Sequence, residues 1–132
     1  MVTECFGGTQ NLLMNLGLDM TLAEVINYIA GKHNNIEIVN DTEFDINGIV
    51  CMFNGLKICF GYPNQEVVFY KNIVFNHKVS SNYNGNFNSR DLTTDKIDTL
   101  YEIFMNTYRQ ACLDLKEIKI DESIEEIKKD FV

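Results

Sequence analysis

Proline is scarce in this chain, and long apolar runs are absent. One proline and eight glycines occur among 132 residues, which leaves little room for a long flexible linker. No apolar stretch approaches the roughly 20 residues that a membrane-spanning helix requires, and residues 1–10 carry no basic segment ahead of an apolar one. We therefore expect a single domain over residues 1–132, located in the cytoplasm and without a membrane partner.

The recurrent motifs of enzyme active sites are missing as well. The chain has no G-x-G-x-x-G, P-loop, G-x-S-x-G or H-E-x-x-H pattern. It has only two histidines, His33 and His77, and neither stands in a context that indicates a catalytic base. The sequence therefore indicates no catalytic residue and no cofactor, and we expect a binding protein rather than an enzyme.

The four cysteines lack the short C-x-x-C spacing of zinc sites and redox dithiols. They are Cys5, Cys51, Cys59 and Cys112. We expect free thiols that pack as small apolar side chains in a reducing compartment and bind no metal. Cys59 is the one candidate for a reactive thiol, because a neighbouring ammonium such as that of Lys57 lowers the pKa of a thiol.

Basic residues are outnumbered by acidic ones. Eleven Lys and Arg stand against 19 Asp and Glu, so the formal net charge is −8. Such a charge repels nucleic acid, which argues against direct nucleic-acid binding and favours a basic partner. The acids concentrate in residues 91–132, with eleven acids against six bases, whereas residues 61–90 carry three bases and one acid.

Two Asn-Gly pairs organise the centre of the chain. Asn47-Gly48 and Asn54-Gly55 each predict a type I′ hairpin turn, because Asn tolerates and Gly freely adopts the positive φ that both central positions need. Turns seven residues apart predict a three-stranded meander over residues 43–62. Since side chains alternate between the faces of a strand, this register collects one apolar face. Its members are Phe44, Ile46, Ile49, Cys51, Phe53, Leu56, Ile58 and Phe60.

The opposite face of the predicted meander is half apolar. It carries Val50, Met52 and Cys59 beside polar residues. An apolar surface of this kind is expected to be covered, either by another part of the chain, by a partner, or by a second protomer in a homodimer.

The flanking segments complete an α+β pattern. Thr21 and Glu24 form a capping box for an N-terminal helix that Gly31 can close, and a long helix begins at Thr93 or Thr94. A shorter acidic helix is expected to begin near Asp121. We predict an antiparallel four- to five-stranded meander packed by the long C-terminal helix, with the shorter N-terminal helix and the short terminal acidic helix beside it.

Four segments are predicted less specifically. Residues 66–79 are rich in strand formers and fit one long strand, with a hairpin at Lys71-Asn72 as the second choice. Residues 80–92 are rich in Asn and Ser and are predicted to be a long loop. Residues 1–20 fit a short helix or an arm, and residues 36–40 a first strand that turns into the meander at Asp41-Thr42.

The acids of the last third of the chain predict a surface for a basic partner. The candidate residues are Asp91, Asp95, Asp98, Glu122, Glu125 and Glu126. We interpret the chain as a protein-binding module, namely a stoichiometric inhibitor of a basic nucleic-acid-handling protein. This class includes immunity proteins and the anti-defence proteins of phages and mobile elements, such as anti-CRISPRs. A solvated helix face, and the preference of Asp for helix N-termini, explain the same charges without a partner.

A basic and aromatic segment supports an alternative function. Its candidate residues are Lys71, His77, Lys78, Tyr83, Phe87 and Arg90. Aromatic rings can stack on a base while cations neutralise a phosphate, so residues 71–90 could bind or sequester a small anionic ligand such as a nucleotide. Aromatic residues in a strand are, however, usually part of a core.

Overall fold

The computed structural model describes residues 20–130. The elements are α1 (Leu22–Ala30), β1 (Ile36–Glu43), β2 (Ile46–Phe53), β3 (Leu56–Gly61), β4 (Glu66–Phe75), β5 (Lys78–Asn88) and α2 (Thr94–Asp130), with a 3₁₀ turn at Ser89–Asp91. The strands form one antiparallel sheet in chain order. The predicted α+β fold is confirmed, while the predicted arm over residues 1–20 lies outside the described residues except for Met20, which is buried.

Helix α1 begins where the capping box predicts. The backbone N–H of Glu24 donates to Thr21 Oγ1 at 3.2 Å, and that of Thr21 donates to Glu24 Oε1 at 2.8 Å. These two hydrogen bonds satisfy backbone N–H groups that the first turn of a helix leaves without a partner. The apolar stripe of α1 is buried, and it consists of Leu22, Val25, Ile26 and Ile29.

The core lies between one face of the sheet and the two helices. Its members include Val25 and Ile29 from α1, and Leu100 and Phe104 from α2. From the sheet, Phe53 meets Phe104 and Tyr108 edge to face, with ring centroids 6.2 and 5.4 Å apart, an arrangement that aromatic pairs prefer. We call the face of the sheet that packs against the two helices the inner face, and the opposite one the outer face.

The first predicted hairpin turn is wrong. The β1–β2 turn is centred on Phe44 and Asp45, with φ of 51° and 62°, and Asn47 and Gly48 lie inside β2 opposite Thr42 and Asp41. A Cβ on Gly48 would overlap the ring of Phe60. The glycine at this position therefore makes room for an aromatic ring and does not form the turn.

The second predicted turn is confirmed, but the strand that follows it contains a bulge. Asn54 and Gly55 have φ of 51° and 79°, and Phe53 lies opposite Leu56. The register then shifts, so that Cys51 faces Cys59 instead of Ile58. One extra residue reverses the alternation of faces beyond it.

Five of the eight residues of the predicted apolar face do belong to the core or pack against it, namely Ile49, Cys51, Phe53, Leu56 and Ile58. The other three, Phe44, Ile46 and Phe60, were assigned to the wrong place. Phe44 is 87% exposed and Ile46 is also exposed, although both were predicted to be core residues. Phe60 and Val50 are fully buried opposite each other and outside the core cluster, which places them on the outer face. Cys59 belongs to the inner face, so Val50, Met52 and Cys59 cannot form the common homodimer surface that the sequence suggested.

The β4–β5 hairpin shortens the predicted long strand, which begins at Glu66 as expected but ends at Phe75, and it replaces the predicted loop. Asn76 and His77 form its turn with φ of 51° and 63°, and residues 78–88 pair with β4 along its length. The turn predicted at Lys71-Asn72 is also wrong, because Asn72 is a buried strand residue. The Asn- and Ser-rich segment forms a strand because pairing with β4 satisfies its backbone groups.

Helix α2 is continuous over 37 residues, so the separate terminal helix predicted from Asp121 is wrong. The Lys96 backbone N–H donates to Thr93 Oγ1 at 3.1 Å, which identifies Thr93 as the cap. No Gly or Pro interrupts residues 94–130, and nothing in the sequence therefore ends the helix at Asp121. At 1.5 Å per residue its length is about 55 Å.

The conformation of the β1–β2 turn leads to a stability prediction. The double variant Phe44→Asn/Asp45→Gly places Asn and Gly where φ is positive, and it should raise the free energy of unfolding by about 1 kcal/mol. Urea denaturation measures this. The matched control, Asn54→Phe/Gly55→Asp, makes the opposite exchange at the second turn and should destabilise. A loss of stability in the first variant would contradict the assigned turn.

Candidate protein-binding surface

Helix α2 changes character along its length. Its first half buries Ile97, Leu100, Phe104 and Ala111 against the sheet. After Ala111 no side chain is buried as far as Lys129, the last residue of the helix whose side chain the structure describes. We call residues 112–129 the distal segment; it is about 27 Å long.

An apolar stripe runs along the distal segment. Leu113, Ile120, Ile124 and Ile127 are between 44% and 58% exposed. Steps of seven, four and three residues keep them on one face of a helix. At 100° per residue, Leu113 lies about 200° from the buried Ala111. The stripe therefore points away from the sheet, and it lies outside the core that residues 20–130 form.

The predicted acids of the distal segment lie on the other side of the helix. Glu122 and Glu126 each stand two residues from Ile124, which rotates them about 200° away from it. Glu125 is 3.7 Å from the ammonium of Lys128, and Glu126 is 4.0 Å from that of Lys129. Exposed pairs at such distances are weak, so these carboxylates still contribute to the field of the helix.

The three predicted acids near the start of α2 form a separate group. Asp91 and Asp95 are exposed, and Asp98 is partly buried. Asp98 and Glu122 are 24 residues apart on one helix, which corresponds to about 36 Å. The six predicted acidic residues therefore form two groups near opposite ends of α2.

Asp98 has a structural role that the sequence did not indicate. Its carboxylate lies 2.5 Å from the ammonium of Lys32 and accepts a hydrogen bond from the Tyr28 hydroxyl at 2.7 Å. The hydrogen bonds from Lys32 and Tyr28 lower the pKa of Asp98, although partial burial opposes this. Burial and the Asp98 carboxylate raise the pKa of Tyr28. Asp98 thus joins α2 to α1 and is less free for a partner than Asp91 or Asp95.

The predicted anion-binding residues are spread along the β4–β5 hairpin. His77 and Lys78 are at its tip, whereas Phe87 and Arg90 are about ten residues away, or roughly 33 Å along an extended strand. Phe87 packs against Phe69 with ring centroids 5.9 Å apart, while Tyr83 is exposed opposite Tyr70. Lys71 is half-buried midway. The six residues are not brought together at one point.

The hairpin tip does meet the distal segment. His77 Nδ1 lies 3.4 Å from Glu122 Oε2, and both side chains are well exposed. The basic segment and the acidic segment, which the sequence suggested as alternative sites, are therefore neighbours.

A hydrogen-bonded cluster on the outer face was missed at the level of the sequence. The Glu43 carboxylate accepts from the Tyr70 hydroxyl at 3.1 Å, from the Tyr62 hydroxyl at 3.5 Å and from the Lys57 ammonium at 2.8 Å. Burial and the charge of Glu43 raise the pKa of Tyr70. The cluster joins residues from four separate parts of the chain, so no local pattern in the sequence indicates it.

A shallow groove of ≈ 430 Å³ lies next to this cluster. Its apolar wall includes Phe44, Ile46, Pro63 and Val68. Phe44 combines a positive φ with almost complete exposure, which is costly for a large apolar residue and marks a second surface of interest.

The chain matches no protein-family model, no curated protein and no solved structure. Among the helices of residues 20–130, none is both long and apolar enough to cross a membrane.

The Asp98 cluster leads to a pH-dependent prediction. Because the pKa of Asp98 is lowered below 3.8 on folding, its carboxylate stabilises the fold above pH 3.8, and this contribution is lost as the pH falls through the folded-state pKa. At neutral pH, Asp98→Asn should lower the free energy of unfolding by up to about 1 kcal/mol, since the side chain is 44% exposed.

Urea denaturation at neutral pH and at about pH 3 tests this prediction. The difference between the parent and Asp98→Asn should shrink at the lower pH. Asp121→Asn, an exposed change on the same helix, is the control and should alter stability little at either pH. A difference for Asp98→Asn that is equal at both pH values would exclude the ionised pair as its cause.

Proposed function

We propose that this protein is a stoichiometric inhibitor that acts by binding another protein through the distal segment of α2. The observation that carries the proposal is the apolar stripe that faces away from the domain. Ile120, Ile124 and Ile127 have the i, i+4, i+7 spacing with which an amphipathic helix anchors in an apolar groove. Among the described residues the stripe takes no part in the core, and an exposed apolar surface of this kind marks an interaction site.

The chemistry of the partner follows from charge. The protein carries a formal net charge of −8, and Glu122, Glu125 and Glu126 lie in the same segment as the stripe. An apolar groove on a protein of net positive charge complements this segment, because the acids act through their field and not by contact with the groove. Basic surfaces are typical of proteins that handle nucleic acid, so an acidic protein bound there would compete with the nucleic acid. We place the protein with the immunity and anti-defence inhibitors, a class that includes anti-CRISPRs.

The apolar and the acidic residues should contribute differently to binding. Burying an isoleucine side chain contributes about 1.5–3 kcal/mol, so the stripe supplies most of the affinity. Exposed carboxylates add little to affinity, but their summed field steers a cationic surface towards the protein and accelerates association. These two contributions can be separated because the two sets of residues lie on opposite sides of the helix.

The test begins with capture of the partner by the full chain and then compares variants by surface plasmon resonance. Ile120→Gln/Ile124→Gln should weaken binding by about 100-fold, mainly through faster dissociation. Glu122→Lys/Glu125→Lys/Glu126→Lys should slow association and reduce its salt dependence, with a nearly unchanged thermal midpoint. If neither variant changes binding, the distal segment is not the contact.

The controls address the two competing interpretations. Lys71→Glu/Lys78→Glu/Arg90→Glu reverses the basic segment; if it alone abolishes binding, the partner is anionic and the nucleotide-binding alternative is favoured. Sedimentation equilibrium of the parent and of Ile120→Gln/Ile124→Gln detects self-association. A parent dimer that the variant converts to a monomer would assign the stripe to a second copy of the chain and overturn the proposal.

A further inference from the structure

Two cysteines face each other across the centre of the sheet. Cys51 in β2 lies directly opposite Cys59 in β3, and both side chains are fully buried. Directly opposed residues of antiparallel strands have Cα atoms about 4.5–5.5 Å apart. This separation lies within the range of about 4.4–6.8 Å that a disulfide spans.

The bulge in β3 creates this pairing. In an unbroken hairpin closed at Asn54-Gly55, Cys51 would face Ile58, and Cys59 would point to the outer face. The extra residue shifts the register between Cys51 and Met52, so that Ile58 and Cys59 are both buried in the inner core. The backbone already places the two thiols opposite each other, so a disulfide can form between them without any movement of the strands.

We propose that Cys51 and Cys59 form an oxidation site at which a reversible disulfide closes across β2 and β3. This inference is independent of the proposed inhibitor function. Both thiols are free in the structure. Among the described residues, one hydrogen bond joins this pair of thiols to another group: Cys51 Sγ donates to the backbone carbonyl of Ile26 at 3.6 Å. Formation of the disulfide therefore removes only this one weak hydrogen bond.

Hydrogen peroxide is a sufficient oxidant for this reaction. One thiolate attacks a peroxide oxygen, the O–O bond breaks, and a sulfenic acid and hydroxide form; the hydroxide takes up the proton that the thiol released and becomes water. The second sulfur then displaces the hydroxyl group of the sulfenic acid, which leaves as a second water with the second thiol proton. In total, two thiols and one peroxide give one disulfide and two waters. The sulfurs are oxidised and the peroxide oxygens are reduced.

The environment of the pair sets the rate. The neighbouring Cys51 thiol and burial both raise the pKa of Cys59, contrary to the lowering by Lys57 that the sequence suggested. Because the thiolate is the reactive form, oxidation should be slow near neutral pH and faster at higher pH. A large reagent in solution cannot reach the buried pair, whereas hydrogen peroxide is small enough to reach it through local opening of the sheet.

The experiment uses the full chain with Cys5→Ser/Cys112→Ser, in which the pair supplies the only thiols. The folded protein is treated with hydrogen peroxide at about pH 7 and pH 9, then unfolded in an alkylating reagent, digested with trypsin and analysed by mass spectrometry. Cleavage after Lys57 separates the two cysteines, so a disulfide joins two peptides that otherwise travel apart. Addition of Cys59→Ser gives the matched control, in which no intramolecular bond can form.

The expected result is a linked peptide pair within monomeric chains, a mass lower by about 2 Da than that of the reduced protein, faster formation at pH 9, and full reversal by dithiothreitol. If the Cys5→Ser/Cys112→Ser variant does not fold, the same linked peptides can be sought in the oxidised parent protein. Two thiols that stay alkylatable, a bond that forms only in denaturant, or a bond between chains would overturn the proposal.

Discussion

The register of β2 between its two neighbours is the constraint on which the rest of the structure depends. The turn at Phe44-Asp45 sets the pairing with β1, and the bulge at Ile58 sets the pairing with β3. Because side chains alternate with a period of two, a shift of one residue on either side exchanges the faces. With this register Cys51 and Phe53 enter the core, while Val50 lies on the outer face opposite Phe60. A fully buried Phe60 in turn requires glycine at position 48, since a Cβ there would overlap the ring.

Attachment of α2 to the sheet divides the helix into a packed half and a free half. The buried Asn72 side chain donates to the carbonyl of Phe104 at 3.0 Å, and its backbone N–H donates to Thr107 Oγ1 at 2.9 Å. At the other end of the packed half, Asp98 holds Lys32 and Tyr28. Beyond Ala111 the sheet buries no described side chain completely, yet no Gly or Pro ends the helix. An exposed helix of this length keeps its own backbone hydrogen bonds, and its apolar stripe remains available to another molecule.

Local signals in the sequence predicted those features that depend on neighbouring residues. The capping box at Thr21 and Glu24, the turn at Asn54-Gly55, the cap at Thr93 and the helical spacing after Ile97 all appear where they were predicted. The first Asn-Gly pair failed for a long-range reason, since Gly48 serves the packing of a ring twelve residues away. The bulge at Ile58 and the strand in the Asn-rich segment were not predicted, for a similar long-range reason. Each is stabilised by pairing with another strand rather than by its own residues.

The sequence by itself determined an acidic α+β protein with a meander sheet, a long amphipathic C-terminal helix and a concentration of carboxylates near its end. Composition, turn chemistry and helical periodicity are local properties, so they follow from the order of the residues alone. Only the tertiary structure decided that the isoleucines at 120, 124 and 127 face away from the core, that His77 meets Glu122, and that Cys51 faces Cys59. Each of these facts depends on how distant segments are placed, and one extra residue in a strand or one continued helical turn is enough to change them.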